Sequence, residues 1–262
     1  MRRARACRRD LPAAARGERS GERVGRVTHA PPPAVPRPLG IIMLETRFPR
    51  LPGDIGNPAS FAFPVRYEIV RGASPERVIR QGADGLLAPF IAAARALEAA
   101  GCAAITTSCG FLGLFQGAIA AALRVPFIAS SLALVETANR ALPAGQEAGV
   151  ITISASSLTP AHLERAGAPA RTPVVGVAED GEFARAILGD QPDLCAAKLR
   201  SEVLDAGRRL RALHPRVGAI VLECTNMPPY AAALGEATGV PIYDALTLAR
   251  YLMGPAHGAP RR

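Results

Sequence analysis

From Leu39 onward, short runs of apolar residues alternate with longer stretches rich in Ala and Leu, a pattern that predicts strands separated by helices. LGIIML (39–44) reads as a buried strand, followed by the turn-rich loop ETRFPRLPGDIGNPAS and a second strand in PVRYEIV (64–70). Ser74 and Pro75 stand in the order of a helix cap and first helical residue, and LLAPFIAAARALEAAG (86–101) predicts a helix closed by its glycine. CAAITTS (102–108) reads as a strand, CGFLGLFQGAIAAAL as a helix and VPFIAS (125–130) as a further strand. The second half gives strands at AGVITIS (148–154), TPVVGV (172–177), VGAIVLE (217–223) and VPIYD (240–244), with helices between and after them. The expected class is α/β: mainly parallel sheets flanked by helices, with ligand sites at the carboxyl ends of the strands.

The chain also repeats itself. Displaced by 115 positions, Ala104 falls on Ala219, Ile105 on Ile220, Cys109 on Cys224, Val125 on Val240 and Pro126 on Pro241, without a gap. A displacement of 109 lays GIIML (40–44) on GVITI (149–153). The repeat predicts two similar, pseudo-symmetric α/β lobes, 39–145 and 146–253, with the active site in the cleft between them and the last helix free to cross back.

Composition changes this picture only at the ends. The net charge is +9, but residues 1–38 carry ten Arg against Asp10, Glu18 and Glu22, so the body is close to neutral. The leader shows no hydrophobic periodicity and ends in a proline run (Pro31, Pro32, Pro33, Pro36, Pro38); it is expected to be disordered, and 254–262 to be a flexible tail. With the basic excess confined there, neither nucleic acid nor membrane is expected as a partner. No apolar stretch is long and unbroken enough to span a bilayer. Five cysteines in 262 residues are too few for a disulfide scaffold, and their spacing matches no zinc site. No phosphate-binding or dinucleotide fingerprint is present, so no cofactor is expected.

The repeat gives each lobe one cysteine at the same address, where a strand ends and a helix begins: TTSCGFL (106–112) and LECTNMP (222–228). A single cysteine would read as a small buried hydrophobe. Two at equivalent positions read as an acid/base pair: Cys109 and Cys224 face each other if the lobes do, one thiolate removing a proton from carbon and one thiol returning it. Amide groups at the helix starts are expected to lower both thiol pKa values. Ser108, Thr225 and Asn226 flank the sulfurs and have the right groups to hold a carboxylate or amine. The loop after the first strand brings Asp54 and Asn57 as further substrate-binding candidates, and Arg47 as a partner for a second carboxylate. Ser154, Ser156 and Ser157 hold the related place in the second lobe, and the sequence leaves open which of them points inward. His162 follows Thr159 and Pro160 near a helix start and is the one histidine placed to approach the cleft; Cys102 and Cys195 read as packing residues.

These residues resemble the aspartate/glutamate racemase superfamily of cofactor-independent racemases, hydantoin racemases, arylmalonate decarboxylases and maleate isomerases. The stretch AIVLECTNMPPYAAALGEATGVPIYDALTLAR is similar to that family's second-cysteine region, and TTSCGFL to its first. The resemblance implies catalytic roles for Cys109 and Cys224, a substrate contact at Thr225 and a homodimer. The pattern departs at Glu223, where the family usually has Gly, and at Asn226, where an acidic residue or His is common. The expected activity is a pyridoxal-phosphate-independent racemase or epimerase of a small amino acid or related carboxylate. The alternatives are a single-cysteine isomerase or decarboxylase and a carboxylate-binding protein without chemistry. The need for reduced thiols points to the cytoplasm.

Overall fold

Leu39–Leu44 (β1) buries all six of its side chains, because it is the central strand of a parallel sheet with Val65–Val70 (β2) on one side and Ala104–Thr107 (β3) on the other. The computed structural model describes residues 36–254, so the leader up to position 35 and the tail from 255 lie outside the described residues. At the start of that range Arg37 donates to the carbonyls of Gly101 and Cys102 (3.0 and 2.7 Å). Leu87–Ala99 (α1) covers β1 and β2 with Phe90, Ala93, Ala94 and Leu97 and closes on Gly101, whose φ of 85° is the left-handed conformation that glycine adopts at least cost.

The second lobe repeats the order. Glu147–Thr152 (β4) is central, flanked by Val174–Gly176 (β5) and Val217–Leu222 (β6), with Ile242–Tyr243 (β7) beyond, all parallel. The internal repeat extends to single hydrogen bonds. Ile105 N–H donates to Pro126 O (2.9 Å) and Ile220 N–H to Pro241 O (3.0 Å), while Ser108 N–H donates to Ile42 O and Glu223 N–H to Ile151 O, both at 2.9 Å. Helices Gln116–Ala120 (α2) and Leu134–Ala141 (α3) belong to the first half, and Pro160–Arg165 (α4), Ala196–Leu213 (α5) and Ala231–Thr238 (α6) to the second. The last helix, Ala245–Met253 (α7), does cross back: Ala245, Ala249 and Met253 pack with Leu39, Ile41, Met43 and Ala104 of the first sheet.

Two expectations about local structure are corrected. The strand expected over 125–130 shrinks to a single bridge between Phe127 and Ile105. Side chains take over its hydrogen bonds: the Gln116 amide donates to Phe127 O (3.0 Å) and accepts from Ala129 N–H (2.8 Å), and Thr106 and Thr107 hydroxyls donate to Ile128 O and Ala129 O (both 2.7 Å). The helix expected to run on from Cys109 starts as a 3-10 turn, Gly110–Phe115, before α2. Gly110 and Gly113 lower its helical propensity, and the tighter turn lets the chain pass close to the second lobe. Among the described residues no helix is long and apolar enough to cross a membrane.

Candidate active site

β3 and β6 deliver the two cysteine motifs to one place. Cys109 and Cys224 line the same cavity, with about 330 Å³ of space between its atoms when the open solvent at its mouth is counted, walled by Leu44, Phe48, Ile79, Phe111, Ile153 and Ile187. Its polar lining is short: Thr46, Arg50, Ser108, Glu223, Thr225 and Asn226. The lobes are tied together at this point, since Thr225 Oγ1 donates to Ser108 O and Ser131 Oγ to Leu222 O, both at 2.6 Å.

Of the sequence candidates, Cys109, Cys224, Ser108, Thr225 and Asn226 reach the cavity wall. The hydroxyl of Thr225 is committed to Ser108 O, and Ser108 Oγ accepts from Leu44 N–H (3.0 Å), so both hold the two motifs in place. Asn226 bridges, accepting from the Cys224 thiol (3.6 Å) through Oδ1 and donating to Asp54 Oδ2 (2.6 Å) through Nδ2. Asp54 is buried behind this wall, paired with Arg50 (3.2 Å) and accepting Gly56 N–H (2.6 Å). Asn57 stands further back: it accepts from Ala59 N–H and donates to Arg50 O (2.9 and 2.8 Å), which fixes the loop.

Arg47 points to solvent, in an exposed ion pair with Asp190 (3.2 Å). Ser154, Ser156 and Ser157 hydrogen-bond to one another and to Glu179 beside a neighbouring depression, with Ile153 on the boundary between the two. His162 caps α4 with Thr159 and stacks edge-on against the back of Phe111, 5.1 Å between centroids. Burial lowers its pKa. Cys102 is buried in the first lobe and Cys195 caps the start of α5.

Sequence reasoning missed Arg50. Its guanidinium donates to Asp54 and Thr46 (3.2 and 3.0 Å) and lies 4.4 Å over the Phe48 ring, while its buried Nε has no partner. A buried N–H without an acceptor costs roughly 1–3 kcal/mol, and here it belongs to a side chain that lines the thiol cavity. The only signal in the sequence was the loop itself, in which two arginines, Arg47 and Arg50, stand in a stretch with no periodicity to rank one against the other.

The expected lowering of the thiol pKa values is corrected. The amides are present: N–H groups of Phe111 and Leu112 favour a Cys109 thiolate, and that of Asn226 a Cys224 thiolate. Burial outweighs them, and the Glu223 carboxylate adds to the effect, so Cys109 is pushed up to about 12 and Cys224 well above its ordinary value. Glu223 itself is buried and pushed up to about 7 by desolvation, against the opposing hydrogen bonds from Thr152 Oγ1 (2.7 Å) and Ile153 N–H. Among the described residues no three His, Cys, Asp or Glu side chains form a metal-binding group.

Gly110 is fixed by this packing. A Cβ there would stand 2.3 Å from Glu223 Oε1 and 2.5 Å from Glu223 O, and the second of these is backbone that cannot swing away. Gly110→Ala is expected to cost about 1–3 kcal/mol, read as a melting temperature lower by roughly 2–10 °C in thermal denaturation.

The description Asp/Glu/Hydantoin racemase fits residues 66–250 of the chain. A dimethylsulfoniopropionate lyase of Durusdinium sp. clade D is 31% identical over 227 residues, 82% of this chain and 73% of that protein. Dimethylsulfoniopropionate lyase 5 of Emiliania huxleyi (strain CCMP1516) is 30% identical over 232 residues, and the chain spans only 44% of its length while matching over 82% of its own. Among solved structures, unliganded arylmalonate decarboxylase aligns with a TM-score of 0.55 at 18% identity, over 86% of this chain and 95% of that one. Glutamate racemase isoform RacE1 from Bacillus anthracis aligns at 0.53 and 16%, over 82% and 81%. At such identities the two structures share the fold, two lobes included.

Proposed function

The chain belongs to the Asp/Glu/hydantoin racemase family, and from that premise we propose that it is a cofactor-independent lyase. Its substrate is a small carboxylate with a leaving group on the β carbon, of the dimethylsulfoniopropionate type. The observation that carries this reading is the 31% identity, over 82% of the chain, with a lyase of that name. The cavity supports it chemically, with two thiols, one guanidinium whose Nε–H has no partner, and apolar side chains beside the polar groups already named.

In this reading Arg50 Nε–H receives the carboxylate and stabilises the negative charge that develops on it as the adjacent carbon loses its proton. A cysteine thiolate takes that proton. The C–H electron pair becomes the carbon–carbon double bond, and the C–S bond breaks with its electrons going to the sulfonium sulfur. The products are acrylate and neutral dimethyl sulfide. The sulfonium methyl groups, which offer no hydrogen-bond donor, suit the wall of Phe111, Ile79, Ile153 and Ile187. The four described cysteines are free, and the proposed reaction needs thiols kept reduced, a requirement that a reducing compartment such as the cytoplasm would meet.

Racemisation is the second reading, favoured by the equivalence of Cys109 and Cys224 in the repeat. One assay separates the two. Reduced protein is incubated in D2O with dimethylsulfoniopropionate and, separately, with aspartate and glutamate. Dimethyl sulfide in the headspace and an equal amount of acrylate in the proton spectrum are expected. No dimethyl sulfide, together with exchange of an amino-acid α-proton, would instead make the chain a racemase.

A further inference from the structure

We propose that Asp190 is a positioning residue whose carboxylate latches the segment 45–50 of the first lobe across the mouth of the thiol cavity. Its service to catalysis rests on the proposed role of Arg50, whereas the closure itself does not.

The lining locates the mouth. Every residue that walls the cavity is buried except Thr46, Arg50 and Asn226, which are partly exposed, so solvent meets the cavity beside the loop that follows β1. There the loop runs as an extended strap: Thr46, Phe48 and Arg50 line the cavity, while Arg47 and Pro49, alternating with them, are exposed. Both ends of the strap are fastened within the first lobe. Glu45 N–H donates to Ala73 O (3.0 Å), the Glu45 carboxylate accepts from Gly72 N–H (2.8 Å), and Arg50 O accepts from the Asn57 amide (2.8 Å).

The middle of the strap is held by the second lobe. Arg47 N–H donates to Asp190 Oδ1 (2.6 Å) and Arg47 Nε–H to Oδ2 (3.2 Å), so one carboxylate grips both the backbone and the side chain of one residue. The guanidinium is 68% exposed, and as an ion pair the contact is worth little. The Asp190 side chain is only 18% exposed, and its bond from the Arg47 backbone is charge-assisted and fixed in place. Asp190 is itself held. It follows the π-helical turn Phe183–Leu188, donates its N–H to Ile187 O (3.3 Å), and has a φ of 48°, a left-handed conformation that aspartate tolerates better than most residues. Ile187 lines the cavity. The latch therefore joins one wall of the cavity, in the second lobe, to the strap that carries Phe48 and Arg50. Once it is released, the strap can lift from its middle and open the way to both sulfurs.

The test is Asp190→Gly, which removes the carboxylate at a backbone position that suits glycine. Native-state alkylation by iodoacetamide is timed at one fixed alkaline pH, with mass spectrometry assigning the label. Cys109 and Cys224 are expected to react about 10-fold faster or more, the size of one charge-assisted hydrogen bond. Cys102, buried in the first lobe and not part of the cavity wall, is the internal control and should react as in the wild type. Unchanged rates at Cys109 and Cys224 overturn the proposal, and so does a rise shared by Cys102, which would report a loss of overall stability. Asp190→Asn keeps the shape and tolerates the left-handed backbone but lacks the charge. Its rates are expected between those of the wild type and the glycine variant, and it carries the same test if the glycine variant does not fold. KM for dimethylsulfoniopropionate is a separate readout, expected to rise about 10-fold with kcat less affected. Faster alkylation with a normal KM would keep the latch and remove Arg50 from substrate binding. The alkylation uses no substrate, so an error in the proposed lyase activity does not disturb it.

Discussion

Cys109→Ser and Cys224→Ser are expected to lower turnover by unequal amounts, about 10³-fold or more for the thiol that acts as base and markedly less for the other. A serine hydroxyl in the same place ionises far less readily than a thiol, and burial raises its pKa further, as it does for the thiols. Elimination needs one base. Racemisation needs a group on each face of the substrate carbon, and there the two variants would lose activity equally. Both sulfurs are buried and small, so each variant should keep its fold, and circular dichroism checks that independently. Measuring the pair side by side on one substrate separates a one-base from a two-base mechanism.

The second large effect is expected at Arg50. Arg50→Met strips Asp54 of its cationic partner, leaving a buried carboxylate held only by the Gly56 N–H and the Asn226 amide. Breaking a buried pair in this way costs about 3–5 kcal/mol, enough to consume much of the stability of an ordinary domain. Arg50→Lys is the sharper test. The ammonium still neutralises Asp54, but it cannot supply the buried Nε–H that has no acceptor and that the proposed function gives to the carboxylate. Its expected signature is a nearly normal melting temperature with KM raised about 10- to 100-fold, the size of one charge-assisted hydrogen bond. A normal KM in a folded lysine variant would remove Arg50 from carboxylate binding.

The architecture was legible because the repeat is written in the residues that make it. The Val-Pro pairs at 125–126 and 240–241 and the cysteines at 109 and 224 sit at one displacement, and the structure turns each pair into matching backbone hydrogen bonds. The two thiols could therefore be assigned equivalent addresses from the sequence, and both line one cavity. What could not be read depends on contacts between segments far apart in the chain. The loop after β1 has no period, so nothing in it distinguished Arg47, which turns outward, from Arg50, which turns inward. The direction of the thiol pKa shifts failed for the same reason. A helix start is a local feature, visible in sequence, whereas the burial and the Glu223 charge that outweigh it arise only when the lobes close. Glu223 was conspicuous as a departure from the family pattern, but its reach across to Gly110 was not. The strand expected at 125–130 was lost to the Gln116 amide, a substitution of side chain for backbone that periodicity cannot register.

The return of α7 to the first sheet has a consequence for biosynthesis. The face of that sheet formed by Leu39, Ile41, Met43 and Ala104 is covered by Ala245, Ala249 and Met253, which are translated some two hundred residues later. On the ribosome, the amino-terminal lobe therefore waits with an apolar face uncovered while the whole second lobe is made, and it closes only after α7 has left the exit tunnel. Synthesis rate and chaperone access over that interval, rather than the stability of the finished molecule, would then govern the yield of folded protein.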